Sequence, residues 1–152
     1  MLSPGDPDLA IPLTHLAVIH TKQREYVEAA RLFESAFHIL ESRPEPPNLY
    51  MSLALSGQGE FLAAQGAWGE SAKAFKRALQ LREATLGTTH PAVLETMWAY
   101  AKVLAKNKQK DEARMYEERV RTAMAQSGDI VAARKNTVDV RTLRAAGPSG
   151  HF

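Results

Sequence analysis

The five histidines are the side chains of this sequence most able to bind a metal ion. Histidines that share a metal lie three or four residues apart on one helix face, or come from neighbouring elements. His15 and His20 are five residues apart and turn away from each other on a helix, and His38 falls on a different helical stretch. His90 precedes a proline, where it can cap a helix. The spacing therefore predicts no metal site and no cofactor.

Residues for covalent or acid–base catalysis form no recognisable set either. The chain has no cysteine, which excludes thiolate nucleophiles, disulfides and zinc–thiolate sites. It contains no glycine-rich phosphate loop, no nucleophile elbow and no paired-carboxylate signature. Glu28, Glu70 and Glu112 recur at a constant interval, as structural carboxylates do when they face the positive end of a helix dipole. We therefore predict that the protein is not an enzyme.

One group of residues has the chemistry of a binding surface. Trp98, Lys102 and Lys106 are separated by four-residue steps, which places them on one face of a helix. An aromatic anchor beside two ammonium groups can hold an acidic polypeptide segment, extended or helical. The alternative is that Trp98 packs on the C-terminal tail or near Tyr50. From the sequence, both interpretations stay open.

The elements that position these residues recur every 42 residues without gaps. Ala17, Gly59 and Ala101 occupy one such position, and a fixed period of this length is typical of stacked helical hairpins. Further sets are Leu13, Leu55 and Met97, and Ala36, Ala78 and Val120. A small residue at position 59 is explained by close helix packing, whereas Gly57 has no evident reason. The period predicts an all-α solenoid.

The apolar spacing divides the chain into three units, each with two helices. The units span about residues 6–43, 48–85 and 90–126. Their first helices cover about residues 8–22, 48–64 and 91–106, and their second helices about residues 26–41, 68–85 and 110–126. Asp6, Asn48 and His90, again 42 residues apart, are predicted to cap the first helices.

Residues 127–152 fall outside the repeat and form a predicted C-terminal tail. Residues 129–135 can form a short helix, and residues 137–143 alternate like a strand without a visible partner. Residues 147–150, with two glycines and a proline, are predicted to be a frayed end. A terminal repeat needs cover for its open face. The tail is therefore predicted to be a capping segment, as a short helix or an extended stretch.

Composition and charge exclude several other classes of protein. No run approaches 18 apolar residues, so no membrane span is expected, and the N-terminus lacks the basic and apolar parts of a secretory signal. We therefore predict a cytoplasmic protein. Residues 106–152 carry ten Lys and Arg against six Asp and Glu, whereas residues 1–105 carry nine against eleven. This basic C-terminal part can favour an acidic partner or nucleic acid, although a few net charges are usually just a solvated surface. Its lysine cluster lacks aromatic neighbours, so no nucleic acid is expected.

The junction between the second and third units carries a family resemblance. The stretch Leu86-Gly87-Thr88-Thr89-His90-Pro91-Ala92-Val93 follows a closing helix, and Asp6-Pro7-Asp8-Leu9 is a fainter copy of it. Residues 6–126 thus resemble tetratricopeptide repeats in their long, 42-residue form, as found in kinesin light chains. The resemblance implies a right-handed superhelix of three hairpins that binds a peptide or a partner protein in its concave groove.

The resemblance also implies that the first helices line that groove. By register, the predicted contact residues are Thr14, Thr21, Lys22, Ser56, Glu60, Trp98, Lys102 and Lys106. The asparagine pair that touches peptide in long-form repeats is replaced here by Thr14-His15, Ser56-Gly57 and Trp98-Ala99, so no peptide specificity carries over. Two alternatives stay open: a structural module that forms a homodimer through its terminal repeats, and a fragment of a larger repeat-containing regulator.

Overall fold

Within the described part of the chain, six helices follow one another in sequence. The computed structural model describes the backbone of residues 3–145 and the side chains of residues 3–128. After a 3₁₀ turn at Pro7–Leu9, the helices are α1 (Ala10–Lys22), α2 (Tyr26–Glu41), α3 (Asn48–Ala64), α4 (Trp68–Leu86), α5 (Pro91–Lys106) and α6 (Lys110–Ala145). Helices α1 and α2, α3 and α4, and α5 and α6 pack as hairpins, which stack on each other. The all-α solenoid is confirmed.

His90 caps α5 as predicted, whereas Asp6 caps the 3₁₀ turn that precedes α1, and the N-cap of α1 itself, Leu9, makes no side-chain bond. Asp6 Oδ1 accepts a hydrogen bond from Asp8 N at 3.0 Å, and His90 Nδ1 accepts one from Ala92 N at 3.1 Å. A proline follows each cap and occupies a position where no amide hydrogen is needed. The prediction for Asn48 is wrong. The proline-rich linker holds Pro47 extended in the cap position, so Asn48 is already the first helical residue.

The three hairpin turns share one backbone feature. Arg24, Gly66 and Lys108, which are 42 residues apart, have φ angles of 63°, 76° and 65°. A left-handed residue reverses the chain within three residues, so the second helix of each pair can return along the first. Glycine adopts this conformation without a steric penalty, whereas a residue with a Cβ is strained by about 1–2 kcal/mol. The turn is therefore built the same way in each hairpin, with strain in two of them.

Two glycines in α3 let aromatic rings approach its backbone. A Cβ added at Gly59 would lie 2.7 Å from the ring of Phe75, and one at Gly57 would lie 3.0 Å from the ring of Phe33. Both rings are buried. Gly57, which had no evident reason in the sequence, thus accommodates a ring from the preceding hairpin. Close stacking of the first two hairpins depends on the missing side chain.

The apolar core forms two clusters, one at each junction between hairpins. Leu40, Met51 and Leu55 are the largest members of the cluster between the first two hairpins. Phe75, Met97 and Tyr100 belong to the cluster between the second and third hairpins. Each hairpin therefore buries its apolar faces against its neighbours, as the repeat period requires.

The sixth helix corrects the prediction for the C-terminal tail. It continues without a break from Lys110 to Ala145, so the predicted end near residue 126 and the extended stretch at residues 137–143 are wrong. Ser127 is tolerated within the helix, where its Oγ donates to Ala123 O at 2.9 Å, and a single glycine at 128 costs only about 1 kcal/mol. An unbroken helix cannot turn back as a separate cap. The predicted frayed end at residues 147–150 lies outside the described residues.

Candidate partner-binding groove

A groove runs across the first helices of the three hairpins. Its cavity has a volume of about 420 Å³. The lining comes mainly from α1, α3 and α5, and α4 adds Phe75 and Arg82. Helices that stack side by side leave such a groove along the faces that they turn to the same side. The groove is thus preformed by the solenoid.

Arg82 of α4 forms the most highly bonded part of the groove. Its Nε donates to Ser52 Oγ and its Nη1 to Ala92 O, both at 3.3 Å, and Nη1 also donates to Thr96 Oγ1. Burial lowers the pKa of Arg82, while the nearby carboxylate of Glu95 raises it. A guanidinium nevertheless keeps its charge at any ordinary pH. Arg82 therefore ties α3, α4 and α5 together and places a positive charge in the groove.

Two carboxylates face the same cavity. Glu60 of α3 and Glu95 of α5 both line it. Glu60 is exposed as a residue, yet partial burial of its carboxyl raises the pKa of this group; the positive charge of Lys22 lowers that pKa and the negative charge of Glu95 raises it. Among the described side chains, neither glutamate forms an ion pair within 4 Å. Both can therefore accept hydrogen bonds from a bound molecule.

Ser56 supplies an uncommitted hydroxyl in the groove. Its Oγ is buried and has no hydrogen-bond partner in the described part of the protein. Buried polar atoms are almost always bonded, because an unsatisfied one costs about 1–3 kcal/mol. Ser56 Oγ can donate to a carbonyl or accept from an amide. This makes it a suitable contact for the backbone of a bound segment.

Some of the predicted contact residues line this groove, and others do not. Ser56 and Glu60 line it, and Lys22 is exposed and near enough to affect the pKa of Glu60. Thr14 also lines the groove, although its side chain is buried in the groove wall, whereas the predicted outward position of Thr21 is wrong because Thr21 is buried and absent from the lining. Their hydroxyls donate to Ala10 O at 2.7 Å and Ala17 O at 2.8 Å. Both hydroxyls are thus satisfied within α1, and Thr14 contributes to the groove wall without a free donor.

Trp98 does not line the groove but an adjoining cavity, and Glu95 lines both. This cavity of about 710 Å³ lies between α5 and α6, at the end of the last hairpin. Lys102 Nζ lies 5.5 Å from the centroid of the Trp98 ring, so the two side chains form a cation–π contact on one face of α5. Lys102 and Lys106 are exposed on α5, and neither lines the groove. The eight predicted residues therefore do not make one site.

Sequence reasoning missed Arg82 and Glu95. Contact residues were sought by register on first helices, but Arg82 belongs to a second helix and reaches past its own hairpin. One signal was available: the positions 42 residues before and after it hold Leu40 and Met124, so a charged residue interrupts an apolar position. Glu95 lies on a first helix, beside the buried Thr96. No signal in the sequence set Glu95 apart as a groove residue.

Comparison with known proteins agrees with this architecture. Two family models described as tetratricopeptide repeat match residues 13–47 and 50–126. Two solved structures from Podosopora anserina, named for kinesin light chain and its nearly identical TPR-like repeats, are similar in fold. One carries a point substitution, with 22% identity and a TM-score of 0.66, and the other has 23% identity and a TM-score of 0.63. They cover 84% and 83% of this chain. Among curated proteins, none matches the sequence.

The present chain spans 60% of the length of each of those solved chains. In residues 3–145, no helix is long and apolar enough to cross a bilayer. Where side chains are described, no three His, Asp or Glu residues come together as metal ligands would. Together the two family models cover most of the hairpin region. The model that matches residues 50–126 covers half of the chain by itself. The chain belongs to the tetratricopeptide repeat family, whose members are typically non-enzymatic scaffolds that mediate protein–protein interactions.

Proposed function

We propose that this protein binds a polypeptide segment of a partner protein in the groove formed by α1, α3 and α5. The observation that carries the proposal is the buried Ser56 hydroxyl, which lacks a partner in the described structure and lies in a preformed groove. A rigid groove lowers the cost of binding because the protein has little conformational freedom left to lose.

The charges of the groove favour a basic side chain in the bound segment. The Nε and Nη1 donors of Arg82 are already bonded to Ser52, Ala92 and Thr96, whereas Glu60 and Glu95 remain without ion-pair partners among the described side chains. A lysine or arginine between the two carboxylates would gain attraction from both. It would also remove the repulsion through which Glu95 raises the pKa of Glu60.

The predicted acidic partner is assigned by this proposal to a second surface, that of Trp98, Lys102 and Lys106. Its support is the stacking of Lys102 on Trp98, which holds one ammonium group at a defined position. The lysines lie outside the groove lining. An acidic peptide that binds there should lose affinity in a Lys102→Glu variant. A cytoplasmic location also belongs to the proposal, and imaging of a tagged chain tests it.

A peptide selection followed by variant binding tests the groove. Peptides selected from a random display library against the full chain are measured by fluorescence anisotropy on Ser56→Arg, Glu60→Lys and Lys76→Glu. Lys76 is exposed on α4 and outside the groove, so its variant is the matched control. We expect selected peptides to carry Lys or Arg and to bind the two groove variants at least about tenfold more weakly, or about 1.4 kcal/mol.

Circular dichroism and the melting temperature show whether each variant is folded. If the selected peptides bind both groove variants as tightly as the wild type, they do not occupy this groove. Selection of acidic peptides that depend on Glu60 would contradict the proposed preference for a basic side chain.

A further inference from the structure

The two junctions between hairpins show what a hairpin end is built to contact. Phe33 of α2 packs against Gly57 of α3, where an added Cβ would lie 3.0 Å from the ring. At the next junction Phe75 of α4 and Ala99 of α5 occupy the equivalent positions and belong to one cluster. The second helix of a hairpin thus presents an aromatic ring to a small residue on the first helix that follows.

The outer side of α1 carries the same repeat positions that α3 and α5 turn toward the preceding hairpin at these junctions. We call it the leading face, and it consists of Pro12, His15, Leu16 and Ile19, all exposed. Leu16 and Ile19 are 43% and 50% exposed, whereas Tyr100 and Val103 at the same repeat positions of α5 are 3% and 5% exposed. A hairpin that preceded α1 would bury this face.

The outer side of the last hairpin is the counterpart. We call it the trailing face, and it consists of Leu94, Trp98, Glu117, Val120 and Met124, which line the cavity of about 710 Å³. Met124 is 62% exposed, whereas Leu40 at the same repeat position of α2 is fully buried by the next hairpin. Residues up to Ala145 continue α6 and do not fold back over this face.

One pair of repeat positions gives the two faces complementary polarity. The position of Phe33 and Phe75 is occupied on the trailing face by Glu117, and the position of Gly57 and Ala99 is occupied on the leading face by His15. Where both internal junctions place a ring over a small residue, the two free faces carry a carboxylate and an imidazole. If the faces met in the register of the internal junctions, these two groups would face each other.

We propose that the leading face of one copy of this chain packs on the trailing face of a second copy. The hairpins of the two molecules then continue one solenoid, with Glu117 of one copy against His15 of the next. Because the two surfaces differ, the contact is head to tail and leaves a free face at each end. It therefore produces a series of assemblies that grows with concentration, and not a closed dimer.

Complementary variants test the proposal in sedimentation velocity experiments. A leading-face variant carries Leu16→Glu and Ile19→Glu, and a trailing-face variant carries Trp98→Glu and Met124→Glu; all four side chains are exposed, so each variant is expected to fold. We expect the average mass of the wild type to rise with concentration beyond that of a dimer. An unpaired carboxylate in the apolar contact should weaken association more than about a hundredfold.

The mixture of variants distinguishes head-to-tail packing from other arrangements. Each variant alone should be monomeric, and an equal mixture should form a dimer and stop there, because only one pair of intact faces remains. A dimer of the leading-face variant alone would mean that trailing faces pair with each other, and this would overturn the proposal. A wild type that stays monomeric at millimolar concentration would overturn it as well.

A charge exchange keeps the proposal testable if a double variant fails to fold. Glu117→Lys should reduce association, and adding His15→Glu in the same chain should restore it by reversing the pair. Failure of the second change to restore association would refute the proposed register. The trailing-face variant and Glu117→Lys leave the groove lining unchanged, so peptide binding in the groove can be scored separately on these two. His15 and Ile19 line the groove, so their variants are scored for association only.

Discussion

At the three hairpin turns, glycine is expected to stabilise the protein, in contrast to its effect inside a helix. Arg24 and Lys108 have φ angles of 63° and 65°, and Gly66 occupies the same turn position. We predict that Arg24→Gly and Lys108→Gly each stabilise the protein. We predict that Gly66→Ala destabilises it.

The magnitude follows from two opposing contributions. A left-handed conformation costs a residue with a Cβ about 1–2 kcal/mol, and glycine avoids this cost. Glycine also loses more backbone freedom on folding, which offsets about 0.5–1 kcal/mol of that gain. The net stabilisation by Arg24→Gly is therefore about 0.5–1 kcal/mol, and Gly66→Ala should cost about as much. For a chain of this length, 1 kcal/mol corresponds to about 2–4 °C in melting temperature.

Urea denaturation followed by circular dichroism measures these differences. The matched control is Arg31→Gly, at an exposed position inside α2, which should destabilise by about 1 kcal/mol because the residue there is helical. If Arg24→Gly destabilises the protein as much as Arg31→Gly does, strain in the turn is not relieved. The reasoning from the φ angle would then be refuted.

Three further predictions concern packing, pH and capping. Gly59→Ala should destabilise the protein by about 1–2 kcal/mol, because the new Cβ overlaps the buried ring of Phe75, and Phe75→Leu in the same chain should recover part of the loss in thermal melts. Burial raises the pKa of Glu60 above its unfolded value, so the folded state binds this proton more tightly and its ionisation disfavours folding. Glu60→Gln should therefore increase the free energy of unfolding at pH 7. Urea denaturation at acid pH, where Glu60 is protonated, should show no such increase. An increase that persists at acid pH would exclude ionisation of Glu60 as its cause. His90→Ala should cost about 1 kcal/mol, since the imidazole caps α5, and an unchanged urea midpoint would contradict that role.

The 42-residue period was sufficient to predict the fold because a solenoid is held together by contacts between neighbouring units. Ala17, Gly59 and Ala101 mark the same close approach in each hairpin, and the junction ending in His90-Pro91 marks where a helix begins. Such signals are local or repeat at a constant distance, so they can be read without coordinates. They predicted the bounds of α2, α3 and α5.

The candidate site was less predictable, because register along a helix does not define its rotation about its axis. Thr14 and Ser56 occupy equivalent positions, yet the Thr14 hydroxyl is satisfied within α1 whereas the buried Ser56 hydroxyl has no partner in the described structure. Trp98 occupies the same position again and lies at the end of the solenoid. Equivalent positions thus have different environments, because the neighbouring hairpin differs for each.

The sequence alone determined the family, the hairpin order and the small residues at which helices approach, since these depend on spacing along one chain. The tertiary structure alone decided that Arg82 reaches from a second helix into the groove, and that α6 continues to Ala145. It also decided which apolar side chains remain exposed at the two ends. The physical reason is that burial depends on what packs against a residue, and a repeat pattern does not record where the stack of hairpins meets solvent.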